Sequence, residues 1–433
     1  MRIVDNRTKK LYNEMKKTRK RYKMKLSVII CLYNTKKELV DKCLNSICTS
    51  TLEDYEVVLV DDGSNVDYSD IIEKYHPVYV KTENRGQLAA RTYGLMLAKG
   101  DYVAYLDSDD SVTFNYHNPM VEKGLRDGAD IVINDWAFRT SSCCAYCESD
   151  STINSELCIE GDEILNQFAK YQGRQHSYYV LWNKIFKREL LLRAKAEIEK
   201  TDAIMKKQTY SEDVLMTFFA FKHAKKLVNI HTGYYLYHIH EGQSVSVDTS
   251  EKIRAQVDMI TKNFAIMLDS IGDNIYKEAI KENIIQWKAM AARTHFSCAK
   301  GLGDLKLMDY IKEQYGQEKV TLSKARDSRD YIASGLLGNN FEGIDAVLRW
   351  IYKKGGDVSI KYNKRDKYVA DSIGYIEKQK GIRIESSENA QVTVPKRKKS
   401  LKSRILHSRI VLKTGLVLFP KGSKLRNVLK RKL

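Results

Sequence analysis

The chain has few chain breakers and no long apolar runs. Its 433 residues include only 4 prolines, which excludes a Pro-rich spacer between domains. No apolar run reaches the roughly 18 residues that a spanning helix needs, so no transmembrane helix is expected. The first residues are too basic and too poor in apolar side chains for a secretory signal, which places the chain in the cytoplasm as an expectation. No internal repeat is visible. The eight cysteines lack the spacing of a zinc site. Cys143, Cys144, Cys147 and Cys158 cluster in a polar stretch, but they form no two clean Cys-x-x-Cys pairs and have no histidine among them. Free thiols in a reducing compartment are therefore expected rather than zinc or disulfides.

Charge is plentiful, and it is unevenly placed. The net charge is +18. Residues 1–25 carry 11 Lys/Arg against Asp5 and Glu14, and residues 396–433 carry 14 with no acid. Taking those +9 and +14 from the total leaves the body, 26–395, at −5. The basic character thus lives in the two ends, which suggests an anionic partner; a solvated tail is the alternative. Hydrophobic content of 43% and this length suit two or three globular domains.

The segment from Leu26 to Asp110 alternates short apolar runs with helical patterns. Leu26–Leu32, Tyr55–Val60, Val78–Lys81 and Tyr102–Leu106 read as strands. Between them, Lys37–Cys48 repeats Leu39, Val40, Cys43, Leu44 and Ile47 at helical spacing, and Tyr68–Tyr75 and Gln87–Ala98 read as helices. This alternation predicts an α/β domain with a mostly parallel, doubly wound sheet. Such a sheet brings its C-terminal strand ends to one edge, where ligands bind. At those ends stand Tyr33-Asn34, Asp61-Asp62, Asn84-Arg85-Gly86 and Asp107-Ser108-Asp109.

Asp107 and Asp109, two apart on a short turn, suit one divalent cation and a diphosphate. An acidic turn capping the next segment is the competing reading. Asp61 or Asp62 suits hydrogen bonds from a base or ribose, and Gly63 allows a close approach. Arg91, one turn into its helix, is placed to face phosphates. Further on, Ile131–Trp136 is a strand, Ile164–Gln172 a helix and Leu227–Tyr237 a strand ending at His238. Tyr179–Leu191 and Tyr210–Phe221 each join a polar cluster to an apolar helix. Ser250–Tyr315 is helical, with Ile253, Val257, Ile260, Phe264, Met267 and Leu268 on one face.

These motifs, in this order, resemble those of the family 2 glycosyltransferases over about residues 25–245. The motifs in question are Val28–Asn34, Val60–Ser64, Asn84–Arg91 and Gly100–Asp110. The resemblance implies the GT-A fold and an inverting, nucleotide-sugar-dependent transferase of the kind that builds bacterial surface polysaccharide or teichoic acid. It implies donor contacts from Tyr33, Asn34, Asp61, Asp62, Asn84, Gly86, Arg91, Asp107 and Ser108, with a uracil base and hence a UDP-sugar. It implies Mn²⁺ or Mg²⁺ held by Asp107 and Asp109. Glu212-Asp213 resembles the family's Glu-Asp pair, which makes Asp213 the general base; helix capping from Ser211 is the bland alternative. Trp182, Asn183 and Lys184 resemble the acceptor segment, against core packing as the alternative. His238 stands where many relatives carry arginine, and is a candidate for the diphosphate, for the metal or for packing. Leu32 replaces the usual proline before Tyr-Asn.

The domains expected are a basic arm (1–25), a GT-A catalytic domain (26–245), a helical region packing on it (246–315), a small accessory module (316–395) and a basic amphipathic tail (396–433). The partners expected are the nucleotide-sugar, a glycan or lipid-linked acceptor, and an anionic membrane to which the tail attaches the enzyme peripherally. Nucleic acid is disfavoured because the tail has no tyrosine or tryptophan for base stacking. Two rival functions are weighed. A nucleotidyltransferase also uses Asp-x-Asp with metal, but Tyr33–Lys37 lacks the Gly-rich loop it requires. A non-catalytic scaffold would have a degraded Asp-x-Asp or Glu-Asp, and neither is degraded.

In the tail, Ile405, Leu412, Leu416 and Phe419 share a helical face ringed by basic residues. Each Lys or Arg near an anionic surface contributes about 1 kcal/mol. Full-length protein is expected to co-sediment with anionic vesicles at low salt and to release at high salt, while a chain ending at Val394 stays in solution. Equal pelleting of the two would remove the tail's role.

Overall fold

The computed structural model describes residues 25–139, 144–147, 157–170, 176–201, 203, 207–239 and 249–316. It also describes 333–337, 345, 348–349, 352, 358–359, 367–380 and 384–385. The basic arm up to residue 24, the tail and Cys143 lie outside the described residues.

The first half alternates strand and helix: β1 (Leu26–Leu32), α1 (Lys37–Cys48), β2 (Tyr55–Asp61), α2 (Ser69–Tyr75), β3 (Val78–Lys81), α3 (Gln87–Leu97) and β4 (Tyr102–Asp107). These four strands are parallel in the order β3-β2-β1-β4. Helical crossovers are what parallel neighbours require. The chain continues through β5 (Ser111–Val112), α4 (His117–Asp127), β6 (Ile131–Arg139), β7 (Cys144–Cys147), β8 (Cys158–Glu160), α5 (Glu163–Lys170), β9 (Lys184–Lys187) and α6 (Arg188–Ile198). Then come α7 (Glu212–His223), β10 (Lys226–His238), α8 (Ser250–Ser270), α9 (Lys277–Leu302), α10 (Leu305–Tyr315), β11 (Ala333–Leu337), β12 (Val358–Ser359), α11 (Lys367–Lys380) and β13 (Ile384–Glu385).

The same sheet continues past β4 through β9, which pairs antiparallel with both β4 and β6. β10 lies parallel beside β6. This is the α/β architecture expected, parallel where the four polar strand ends gather. Strand β9 was not foreseen: Lys184–Lys187 belongs to a stretch that reads as polar cluster plus helix. Four residues show no usable period, and only the partners Val103 and Ile131, both opposite Phe186, make them a strand.

Side chains alternate across each strand, so each strand feeds two cores. Ile29, Val58, Val60, Val103 and Tyr105 join one cluster, with Leu95 of α3, Phe218 of α7 and Ile253 of α8. Val28, Ile30, Leu59, Ala104 and Leu106 join the other, with Val40 and Leu44 of α1 and Met120 of α4. The helices α8–α10 thus share one continuous core with the sheet. The long helical stretch breaks near Gly272 and at Gly303, both at positive φ (62° and 72°), where glycine carries no Cβ penalty.

Several described segments of 316–395 also contact the main sheet and its loops. β11 pairs with β7. The Phe114 N–H donates to Asp345 Oδ1 (2.9 Å), and Arg349 donates to the Ser46 carbonyl (2.7 Å) and the Val112 carbonyl (2.6 Å).

Helix α3 approaches β1 closely because Gly94 faces it. A Cβ there would stand 2.5 Å from Ile29 Cγ2 and 3.2 Å from Val60 Cγ2. Gly94→Ala gains about 1 kcal/mol of helix propensity. It loses about 1–3 kcal/mol to overpacking. A net destabilisation of about 1 kcal/mol is expected in chemical denaturation; an increase in stability would show that the helix shifts freely.

Candidate active site

Register places the chemistry. Leu32 is paired with Asp61 and Cys31 with Asp107, so the ends of β1, β2 and β4 meet at one edge. A cavity of about 620 Å³ opens there. Its floor comes from the strand-end loops, including Tyr33, Asn34, Asp62, Asn84, Gly86, Asp107, Ser108 and Asp109. Its other wall comes from Lys207, Thr209 and Tyr210, and from Lys252, Gln256 and Met259 of α8.

The loops are tied to one another. The Asn34 N–H donates to Ser64 Oγ (2.8 Å), and Asn34 Oδ1 accepts from the Asn65 N–H (2.8 Å). Asp62 accepts from the N–H groups of Arg85 (2.8 Å) and Gly86 (2.9 Å). Its carboxylate therefore shapes the third loop while facing the cavity. Gly86 is needed at φ 90°, because a Cβ would meet the Gln208 carbonyl oxygen at 2.6 Å. Ser108 Oγ lies 2.8 Å from Thr35 Oγ1. Tyr33 is exposed, with the Lys207 ammonium 5.8 Å from its ring centre. Asn84 Oδ1 is buried with no partner.

Behind the cavity lies a buried ion network. Arg91 is 3% exposed. Its Nη1 donates to Glu212 Oε1 (2.6 Å) and its Nη2 to Asp107 Oδ1 (2.9 Å). Gln87, with its amide turned to satisfy both neighbours, donates to Glu212 Oε1 (3.2 Å) and accepts from Arg91 Nη2 (2.7 Å). Burial pushes the Glu212 carboxyl up to about 7, against the opposing pull of Arg91. Burial likewise raises Asp107 and Asp213, and Arg91 again opposes the shift. Asp213 is half-buried at the start of α7, and its Oδ1 accepts from the Val214 N–H (2.8 Å).

The preceding Ser211 occupies the N-cap position of α7 yet makes no side-chain cap bond, and it sits in the left-handed region at φ 58°. Asp110 is the third strand-end carboxylate. It accepts from Tyr235 Oη (2.6 Å) and the His238 N–H (2.7 Å), which fastens the Asp-x-Asp turn to β10. Burial holds its carboxyl well above the ordinary range.

Several residues expected to touch ligand are placed otherwise. Asp61 is fully buried, accepting from the Ser64 N–H (2.7 Å) and Tyr79 Oη (3.0 Å), and it builds the second loop. Arg91 does not line the cavity, because two carboxylates hold its guanidinium. Trp182 stacks on Tyr235 (4.4 Å between centres) inside the core. Asn183 and Lys184 are buried, with the Lys184 ammonium donating to Asn183 Oδ1 (2.6 Å) and to the Val180 carbonyl. His238 is buried, with Nε2 3.1 Å from Ser111 Oγ, and it is not in the cavity wall with Asp107 and Asp109. Among the described residues, no three His, Cys, Asp or Glu side chains form a metal cage.

The wall from α8 was not foreseen. Its one sequence signal is that Gln256 and Asn263 interrupt an otherwise apolar stripe seven residues apart, which puts both on the buried face.

Residues 27–144 match the model of the family "Glycosyl transferase family 2". The chain is 26% identical over 250 residues to the glycosyltransferase GlyA of Streptococcus pneumoniae, covering 56% of this chain and 34% of GlyA. It is 23% identical over 296 residues to the putative glycosyltransferase EpsH of Bacillus subtilis, covering 64% of this chain and 82% of EpsH. Among solved structures, S. aureus TarS 1–349 in complex with UDP-GlcNAc aligns with a TM-score of 0.43 at 18% identity, over 70% of this chain and 91% of that one.

Removing the Arg91 guanidinium would leave buried carboxylates uncompensated. Arg91→Met is expected to cost about 3–5 kcal/mol of unfolding free energy at pH 8. Glu212 titrates higher folded than unfolded, so its contribution is favourable at low pH and is lost as pH rises from about 4.5 through about 7. The penalty is therefore expected to shrink at pH 5, where Glu212 is protonated. A penalty independent of pH, measured by urea denaturation at both values, would contradict this account.

Proposed function

We propose that this chain, whose residues 27–144 match the model of glycosyl transferase family 2, transfers a sugar with inversion from a UDP-sugar to an acceptor hydroxyl. We place the acceptor on a surface glycan or a lipid-linked carrier. The observation that carries this reading is the cavity itself. It joins the strand-end carboxylates Asp62, Asp107 and Asp109 with a wall of Lys207, Tyr210, Lys252 and Gln256, so donor and acceptor can meet between the two halves. The exposed ring of Tyr33 and the carboxylate of Asp62 suit a nucleoside, one by stacking and one by accepting hydrogen bonds.

Asp213 acts as the base that takes the acceptor's proton as its oxygen attacks the anomeric carbon. Its raised affinity for protons, set by burial, suits that work at neutral pH. Arg91 holds Glu212 and Asp107 in fixed positions, so the pair at the start of α7 and the Asp-x-Asp turn are mutually oriented. Asp107 and Asp109 are the residues that would hold Mn²⁺ or Mg²⁺. Two carboxylates plus substrate phosphates are a sufficient donor set for such ions, and no protein cage is needed. When bound, the metal would offset the charge of the departing diphosphate. The basic tail would keep the domain at an anionic membrane, near a lipid-linked acceptor.

The test is a donor screen with Mn²⁺ and UDP-glucose, UDP-galactose, UDP-GlcNAc, UDP-GalNAc, GDP-mannose and dTDP-rhamnose, read as nucleoside diphosphate released. One UDP-sugar is expected to dominate, and activity is expected to vanish in excess chelator. Asp213→Asn is expected to lower transfer by about 10²–10⁴-fold while UDP binding, followed by calorimetry, persists. Wild-type transfer by that variant would reduce Asp213 to a helix-start residue.

A further inference from the structure

Ser211 is out of place for a serine. It lies at φ 58° immediately before Glu212-Asp213. Left-handed backbone at a residue other than glycine is strained and persists only where the surroundings enforce it. The usual local reward at this position, a side-chain cap to the following helix, is not made. The enforcing group comes from 52 residues away in sequence. Asn263 of α8 is fully buried, and its Nδ2 stands 2.9 Å from Ser211 Oγ, 3.3 Å from the Ser211 carbonyl oxygen and 3.4 Å from Gln208 Oε1.

The same amide therefore grips both ends of the turn 208–211. That turn carries Thr209 and Tyr210 into the cavity wall. Gln208 also pairs with Gly86, at the tip of the third strand-end loop. α8 touches the turn once more, where the Thr209 N–H points at Met259 Sδ (3.4 Å). Asn263 lies outside residues 27–144, and its Oδ1 is buried without a partner. A buried amide left half unsatisfied is poor for stability, so packing alone does not account for an asparagine inside this apolar stripe.

We propose that Asn263 is a positioning residue for the transfer reaction: by holding Ser211 in the left-handed conformation it sets the orientation of the first turn of α7, and with it Asp213 and the Glu212 carboxylate that Arg91 grips. The proposal rests on the reading of Asp213 as the base. It gives α8 a part in turnover beyond closing the pocket. If the grip is lost, Ser211 relaxes toward ordinary φ and the first turn of α7 rotates away from its working orientation. The donor-facing residues at the ends of β1, β2 and β4 lie outside this turn, so the effect falls chiefly on kcat and much less on the donor KM.

The experiment compares Asn263→Ala with the double variant Asn263→Ala/Ser211→Gly, using the sugar nucleotide of highest turnover in the panel above. Glycine takes the left-handed conformation without penalty, so it removes the need for the grip. Asn263→Ala is expected to lower kcat at least tenfold, with donor KM changed less than twofold. The double variant is expected to recover most of that loss, although it does not restore the packing of α8. Amide hydrogen exchange supplies a readout that needs no substrate: residues 208–213 are expected to exchange at least tenfold faster in Asn263→Ala, and to slow again in the double variant. Wild-type kcat, a loss that glycine fails to rescue, or unchanged exchange over 208–213 would overturn the proposal. Asp213→Asn, assayed in parallel, separates the two layers. Wild-type transfer by that variant overturns the base assignment; an inactive Asp213→Asn beside a fully active Asn263→Ala overturns the role of Asn263 alone.

Discussion

One buried guanidinium holds the site together. Arg91 reaches Glu212 on one side and Asp107 on the other. Those two residues come from α7 and β4, which are far apart in sequence and belong to different halves of the domain. A charge as buried as Arg91 is tolerable only when paired, and each of its partners is in turn tolerable only because of it. The elements are thereby locked in mutual position by the cost of separating them. The same pairing keeps Arg91 out of the cavity wall, which Asp109, Asp62, Lys207 and Lys252 line.

Around this pair, the turns are fixed by carboxylates that do structural work. Asp61 secures the second loop, Asp62 the third, and Asp110 ties the Asp-x-Asp turn to β10. Residues that look like ligand contacts in a linear reading thus divide into two populations. Some meet the cavity, and others hold the loops that do. Burial separates the two: Asp61 and Asp110 present almost no surface, whereas Asp62 both braces the third loop and lines the cavity.

The C-terminal helices complete the site. α8 shares a core with the sheet through Ile253, Val257, Ile260 and Phe264. It also lends Lys252, Gln256 and Met259 to the cavity wall. Gln256 is itself braced, its Oε1 accepting from His295 Nε2 (2.9 Å), while His295 Nδ1 faces Tyr315 Oη (3.2 Å). Burial pushes that imidazole down to about 4, so it stays neutral and serves as a strut between α8, α9 and α10. The strand-end loops on the sheet and the cavity wall on the helices are thus one packed unit, although only the former lie in the matched family region.

What the sequence determined by itself was periodicity and punctuation. Apolar runs of strand length, helical spacing between them and polar clusters at their ends made β1 to β4 and their crossovers legible, because local pattern and global fold agree there. A parallel sheet then required the four polar clusters to share an edge, and the registers Leu32–Asp61 and Cys31–Asp107 bear that out. Tertiary structure decided the rest. It paired Arg91 with two carboxylates behind the cavity and buried Trp182, Asn183 and Lys184. It also made a strand of Lys184–Lys187, and it placed α8 over the cavity. Each of these depends on a partner distant in the chain, and a linear pattern records which residues are apolar or charged but not which of them meet. The left-handed turn at Ser211 is the sharpest case: nothing in its neighbourhood asks for that conformation, and the amide that enforces it is Asn263, brought there by the packing of a separate helix.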